Sequence, residues 1–191
     1  MGEEKSKEWY DKIYMASPHY HLPPKMTDRW VDLWEEVINN IPDNCSVFDV
    51  GSGMGHLAEM LMEKRKLSKY LGMDFSIYAI GYSRGKCPNL DFIYGDFLNT
   101  DFKKHDCDMY VFCEVLEHID FDLEVLSRII PGKKIIVTLP TFDSAAHVRH
   151  FAVPEDVCDR YNDVIEFEKC YCVGGRYIIG VGRVKEMADV K

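Results

Sequence analysis

The apolar positions change period along the chain, and each change marks an element. Trp30, Leu33, Trp34, Val37, Ile38 and Ile41 recur at helical spacing and form one stripe, as on a helix that buries a single face. That helix is expected over about 27–40, capped by Thr27 or Asp28 and ended by Asn39, Asn40 and Pro42, with the tryptophans as core. Short apolar runs then alternate with helical stretches. Strands are expected at 46–50, 69–73, 91–94, 108–113 and 134–139. Helices are expected from the residues after Gly55 to about Lys66, from the residues after Ser76 to about Gly85, and over about 121–130. The run 134–139 is apolar almost throughout, as a parallel strand covered on both faces requires. Strand alternating with helix predicts an α/β, doubly wound, Rossmann-like sheet, mostly parallel, with helices on both faces and right-handed crossovers. A short helix near 154–160 precedes two closing strands, 164–170 and 176–184. The turn Val173-Gly174-Gly175 between them makes a hairpin, so the last strand is expected to be antiparallel.

Ahead of this pattern lies a charged, then aromatic lead-in, residues 1–25, with Trp9, Tyr10, Tyr14, His19, Tyr20 and His21. A short helix is expected around 6–15, and Leu22-Pro23-Pro24 breaks regular structure. The aromatic density favours a lid over a ligand site, with Tyr10 and Tyr14 as candidates to face a cationic group. Residues 26–191 are expected to form one domain.

The first strand runs straight into Asp49-Val-Gly-Ser-Gly-Met-Gly55. Gly51, Gly53 and Gly55 at alternate positions give a tight turn whose backbone a ligand can approach. The helix after it offers unpaired N–H groups and a positive end to an anion. The dinucleotide fingerprint Gly-x-Gly-x-x-Gly fails here, because its sixth position is His56. Asp49 would repel a pyrophosphate and attract an ammonium. S-adenosylmethionine (SAM) carries an ammonium and a carboxylate, and so suits an acid followed by an open glycine turn.

Ligands of open α/β sheets lie beyond the carboxyl ends of the strands. Four acids stand there in chain order: Asp49, Asp74, Asp96 and Glu114. A carboxylate can accept two hydroxyl protons, so Asp74 suits a ribose diol, and Asp96 suits an adenine amino group. Phe75 and Phe97 follow those acids and are placed to flank a base. Asp49-x-Gly-x-Gly-x-Gly55, Asp74-x-Ser76, Gly95-Asp96-Phe97 and Glu114-Val-Leu-Glu-His118-Ile together resemble the motif series of the class I SAM-dependent methyltransferases. The resemblance runs from about Tyr10 to the C-terminus. It implies a seven-stranded sheet whose last strand is antiparallel and lies between the fifth and sixth. It also implies SAM as cofactor and S-adenosylhomocysteine (SAH) as product. The implied cofactor-binding residues are Asp49, Gly51, Ser52, Gly53, Gly55, Asp74, Phe75, Asp96, Phe97 and Glu114, with Tyr14 from the lid. His118, just past the fourth strand, is the candidate general base. His147, Arg149 and His150 lie in a loop after the fifth strand, and a similar His-x-Arg-x-Phe segment in related methyltransferases marks it as substrate-facing.

Composition narrows the acceptor. The 191 residues carry a net charge of −9, which argues against a nucleic-acid partner and leaves a small-molecule acceptor. No apolar run is long enough to span a bilayer, and no apolar leader is seen. The seven cysteines form no Cys-x-x-Cys pair, which suits a reducing, cytoplasmic setting and gives no zinc motif. Glu114, Glu117, His118 and His147 or His150 do resemble the Mg²⁺ set of small-RNA 2′-O-methyltransferases. Many metal-free methyltransferases share Glu-x-x-Glu-His, so no metal ligand is assigned. The rival readings are that Mg²⁺-dependent RNA enzyme, a dinucleotide dehydrogenase, and a SAM-binding protein without catalysis.

Overall fold

In a computed structural model of the chain, residues 2–27 and 30–186 are described. They divide into two compact units. The first, residues 5–100, contains α1 (Lys7–Ala16), α2 (Val31–Asn39), β1 (Ser46–Val50), α3 (His56–Lys64), β2 (Lys69–Asp74), α4 (Ile77–Lys86) and β3 (Asp91–Tyr94). Here β1 pairs with β2 and β2 with β3, all parallel. The second, residues 101–191 with the first four, contains β4 (Met109–Cys113), α5 (Asp122–Ser127), β5 (Lys134–Pro140), α6 (Pro154–Tyr161), β6 (Ile165–Val173) and β7 (Tyr177–Val184). In it β4 and β5 are parallel, while β7 runs antiparallel to both β5 and β6. The seven strands follow the order β3-β2-β1-β4-β5-β7-β6. The last strand is therefore inserted between the fifth and sixth, as the motif series implied.

Each unit has its own apolar interior. In the first, Leu33, Val37 and Ile38 of α2 are buried with Val47, Phe48 and Val50 of β1 and Leu57, Met60 and Leu61 of α3. Trp34 belongs to this core and stacks on the imidazole of His56, 5.2 Å between centroids and 10° between planes. Trp30 instead stacks on Tyr20 of the lead-in at 5.7 Å. In the second unit, Val111 and Phe112 of β4, Ile135 to Val137 of β5, and Ile178 and Ile179 of β7 are buried.

Three element ends differ from the sequence expectation. The Thr27 hydroxyl donates to the Pro24 carbonyl at 2.6 Å and closes the one-turn helix Pro24–Met26. It does not cap α2, which starts at Val31; Asp28 lies outside the described residues. The helix expected over 121–130 holds α-geometry only for Asp122–Ser127, ahead of Pro131 and of Gly132 at φ +79°. The closing hairpin is longer on its first arm, with β6 reaching Val173. A bulge between Phe167 and Lys169 brings Phe167 over Gly180 and the Glu166 carbonyl over Gly182. A Cβ at Gly182 would stand 2.2 Å from that carbonyl oxygen, so only glycine fits there.

Candidate functional site

The carboxyl ends of β1, β2 and β3 meet the glycine turn. Gly51, Gly53 and Gly55 have φ of +77°, +52° and +76°, a region where a side chain is strained. The turn is pinned by the N–H groups of Gly51 and Ser52, both donating to the Met73 carbonyl at 2.8 and 2.9 Å. Gly55 caps α3, and a Cβ there would meet Ser83 of α4 at 2.9 Å. The Ser52 hydroxyl is buried and has no hydrogen-bond partner among the described residues.

Asp74 organises this turn. Its Oδ2 accepts the Gly53 N–H at 2.9 Å and its Oδ1 the Ser76 N–H at 2.8 Å. Each oxygen keeps a lone pair for a further donor. Burial pushes this carboxyl up to about 6, although the N–H groups of Ser76 and Gly53 oppose the shift. Asp49 is 1% exposed and accepts the Tyr70 hydroxyl at 2.7 Å. Burial raises it to about 7; the Tyr70 hydroxyl works against the shift and the charge of Asp74 adds to it. Asp96 caps the one-turn helix Phe97–Asn99, accepting from the Leu98 N–H at 2.9 Å and the Asn99 side chain at 3.2 Å. Phe75 and Phe97 lie 6.3 Å apart, tilted by 39°. That is contact distance for an aromatic pair, so they form one continuous wall.

The lead-in is tied to the same place. Ser6 caps α1, accepting from the Trp9 N–H at 3.4 Å. The Asp11 carboxylate accepts the Ser76 hydroxyl and the Tyr78 N–H, the latter at 3.2 Å, and so fastens α1 to the start of α4. Tyr10 then packs on Phe75 with centroids 5.3 Å apart. The Tyr14 hydroxyl sits 3.4 Å from where a Gly53 Cβ would stand. Burial, reinforced by Asp74, raises the Tyr14 phenol well above its ordinary range, so it remains a neutral donor.

A second constellation lies in the other unit, at the end of β4. Glu114 has φ +58°, uncommon for a residue with a side chain. Its N–H donates to the Thr138 hydroxyl at 2.9 Å, and its Oε1 lies 3.0 Å from that hydroxyl. Burial raises its carboxyl to about 8. Glu117 is fully buried beside it. His118 turns Nδ1 to the Ala146 carbonyl at 2.8 Å, and His147 turns Nδ1 to the Phe142 carbonyl at 3.1 Å. The two rings are 4.9 Å apart. Burial lowers His118 to about 4 and lowers His147 as well, so both imidazoles are neutral at physiological pH.

Arg149 is committed elsewhere. Its guanidinium donates to the carbonyls of Leu116, Ile119 and Asp120 and faces the buried Asp122 carboxylate at 3.3 Å. Asp122 also takes Arg160 and the Tyr161 hydroxyl, each at 2.7 Å. Arg149 therefore holds the loop in shape and does not present its charge to a ligand. His150 is the exposed member of the loop, with Nδ1 3.9 Å from Asp143.

The sequence over residues 47–130 matches the family model of a methyltransferase domain. By that match residues 47–130 are a methyltransferase domain, and the fold is that of SAM-dependent methyltransferases. Solved structures share the fold at low identity. One is a chain from the complex of the Haloferax volcanii Trm112 methyltransferase activator with a putative methyltransferase: 14% identical, 93% of this chain and 98% of that one covered, TM-score 0.75. A second is the N-methyltransferase NodS of Bradyrhizobium japonicum with SAH: 13% identical, 95% and 100% covered, TM-score 0.73. A third is the [4+2]-cyclase SpnF: 11% identical, 98% and 100% covered, TM-score 0.76. No curated protein matches the sequence.

Among the described residues the sequence motifs fall into two groups. Asp49, Gly51, Ser52, Gly53, Gly55, Asp74, Phe75, Asp96, Phe97 and Tyr14 all fall in the unit spanning 5–100, and Glu114, His118, His147, Arg149 and His150 in the other. Three contributors escaped sequence reasoning. Asp11 looked like one charge of many on a polar helix. Tyr70 is a strand residue whose hydroxyl found a buried acid 21 positions away. Thr138 sits inside an apolar run and carries the donor that Glu114 uses.

Proposed function

We propose that this methyltransferase transfers the sulfonium methyl of SAM to a small-molecule acceptor in the cytoplasm. The reading rests on the carboxylate of Asp74, locked by two backbone N–H groups beside a turn of three left-handed glycines. A preorganised acid with open lone pairs suits a ribose diol. The glycine turn admits the amino-acid end of the cofactor against bare backbone, and the unpartnered Ser52 hydroxyl supplies a further polar group. Asp49 provides the negative charge beneath the turn. Phe75 and Phe97 offer an apolar wall for the adenine, with Asp96 at the start of that wall. Tyr10 and Tyr14 close over the same region from α1. Bound there, SAM supplies an already activated methyl group.

The chain's own task is then binding, orientation and exclusion of water, which can account for a large share of the rate in a displacement between positioned partners. His118 is held at about 4, too weak a base to be well matched to proton removal near neutral pH. An acceptor that needs little deprotonation fits this site better than a bare alcohol.

A small acceptor is favoured by the net charge of −9, since nucleic-acid binders rely on basic surface. The fold alone does not decide the chemistry, because a [4+2]-cyclase shares it at a TM-score of 0.76. The test is incubation with methyl-labelled SAM and, separately, a metabolite extract, small RNA and protein. Label in the low-mass fraction with matching SAH supports the proposal. Label only in RNA or protein, or no SAH at all, overturns it.

A further inference from the structure

We propose that Cys158 of α6 and Cys170 of β6 form a modification site, a thiol pair that closes into a reversible disulfide on meeting a small disulfide oxidant of the glutathione class. The two thiols are in side-chain hydrogen-bond contact. The Cys170 thiol also donates to the Pro154 carbonyl, with Sγ at 3.5 Å. Pro154 is the first residue of α6, one helical turn before Cys158. Helical side chains lean toward the N-terminus, so the Cys158 side chain covers the turn on which Cys170 Sγ rests. Two sulfurs so placed need only side-chain rotations to reach the roughly 2 Å of an S–S bond.

Access and contact single out this pair among the seven cysteines. Cys45, Cys87 and Cys107 are buried, whereas Cys158 and Cys170 are each half-buried and within reach of a small oxidant. Cys113 lies at the end of β4, with Sγ 3.6 Å from the Thr138 hydroxyl. Cys172 is the natural rival, being exposed and two positions further along β6. Side chains two apart share a face of a strand, yet it is Cys170 that rests on the first turn of α6. In a reducing compartment a disulfide is usually transient and redox-sensing, and solvent-accessible bridges are the labile ones.

The exchange runs in two steps, and the surroundings set their order. Burial, then the hydrogen bond to Cys158, pushes the Cys170 thiol up, and the Glu155 carboxylate adds to the shift. The thiolate is the attacking form, so Cys158 attacks first. Its sulfur bonds to one sulfur of the oxidant, the oxidant's own S–S bond breaks, and one thiolate leaves and takes a proton from water. Cys158 then carries no charge to oppose ionisation of its neighbour. Cys170 gives its proton to solvent and attacks Cys158 Sγ, expelling the second thiolate. The protein loses two electrons and two protons, and the oxidant is reduced to two thiols. The bridge ties α6 to β6 within the unit of residues 101–191. This inference goes beyond the proposed reaction and does not depend on the cofactor or the acceptor.

The test uses the full chain, reduced, freed of reductant and equilibrated in buffers of rising oxidised-to-reduced glutathione ratio. The expected result is loss of two hydrogens from the intact mass, cross-linked peptides joining Cys158 to Cys170, and full reversal by dithiothreitol. Closing the short loop 158–170 should raise the melting temperature by several degrees. Cys170→Ser should retain one glutathione at Cys158, Cys158→Ser should form no bridge, and Cys172→Ser should oxidise as the parent does. If Cys170→Ser fails to fold, peptide mapping of the parent and of Cys172→Ser decides. A folded parent that takes up glutathione without forming the bridge overturns the pair. So does a bridge from either residue to another cysteine, or an unchanged mass at the most oxidising ratio. SAH titration in parallel reports on the cofactor reading separately.

Discussion

Asp74 accepts the backbone N–H of Gly53 at 2.9 Å, joining the end of β2 to the turn that follows β1. Together with the Gly51 and Ser52 N–H groups on the Met73 carbonyl, this bond fixes the glycine turn against the acid proposed to grip the ribose. The Tyr14 hydroxyl stands 3.4 Å from where a Gly53 Cβ would be, because Gly53 has no side chain to keep the phenol away.

The two buried acids set a pH dependence for the ligand-free protein. Asp49 and Asp74 sit at about 7 and about 6 when folded, against an unfolded value of about 3.9. The folded state therefore holds extra protons between those values. Their contribution to stability is full below about pH 4 and is lost as pH rises through 6 to 7. The melting temperature without ligand should fall from pH 5 to pH 8, and Asp49→Asn should flatten the fall. Parallel curves for the two proteins would contradict the assignment.

Glycines at two positions should respond with opposite sign. Gly53→Ala forces a side chain into φ +52°, at a cost of about 1–2 kcal/mol. Gly85 lies within α4, and a Cβ there meets nothing within 4 Å. Gly85→Ala should stabilise by roughly 0.5–1 kcal/mol. Denaturant melts of the two variants give the comparison.

The anchor of α1 is Asp11 on Ser76 and Tyr78. Asp11→Ala should release the helix while leaving β1, β2 and β3 intact. Hydrogen exchange should accelerate over residues 7–16 and not over 46–50, and SAH should dissociate several-fold faster. Unchanged exchange in α1 would mean that Asp11 does not fasten this helix.

Arg149 should behave as a stability residue. Asp122 would keep Arg160 and Tyr161, so the loss falls on the Leu116, Ile119 and Asp120 carbonyls that Arg149 serves, at about 1–3 kcal/mol for each buried group left unsatisfied. Arg149→Met should lower the denaturation midpoint sharply, with SAH affinity in the folded fraction unchanged. A stable variant with a raised KM for the acceptor would restore Arg149 to the acceptor site.

The strand-helix alternation and the glycine turn were legible because both are local. Period and composition within a dozen residues carry them, and β1 to β5 lie where the apolar runs put them. The inserted position of β7 was legible only through the family resemblance, since no local signal says which strands a hairpin arm will join. The bulge at Phe167 and the glycines it demands were hidden for the same reason. The candidate site residues divide likewise. Asp74 is announced by its place after an apolar run, whereas its donors are backbone groups with no sequence signature. Arg149 misled because a charged residue in a loop reads as available. The three carbonyls and the acid that absorb its charge lie 27 to 33 positions away, and only the folded chain brings them to it.

The most direct test of the central claim is calorimetric titration of SAH into the wild-type protein and into Asp74→Asn. Loss of a hydrogen-bonded charge is worth about 1.5–3 kcal/mol, so the variant should bind roughly ten- to a hundredfold more weakly while keeping its fold. Equal affinity in the two proteins, or no binding to either, would contradict the account.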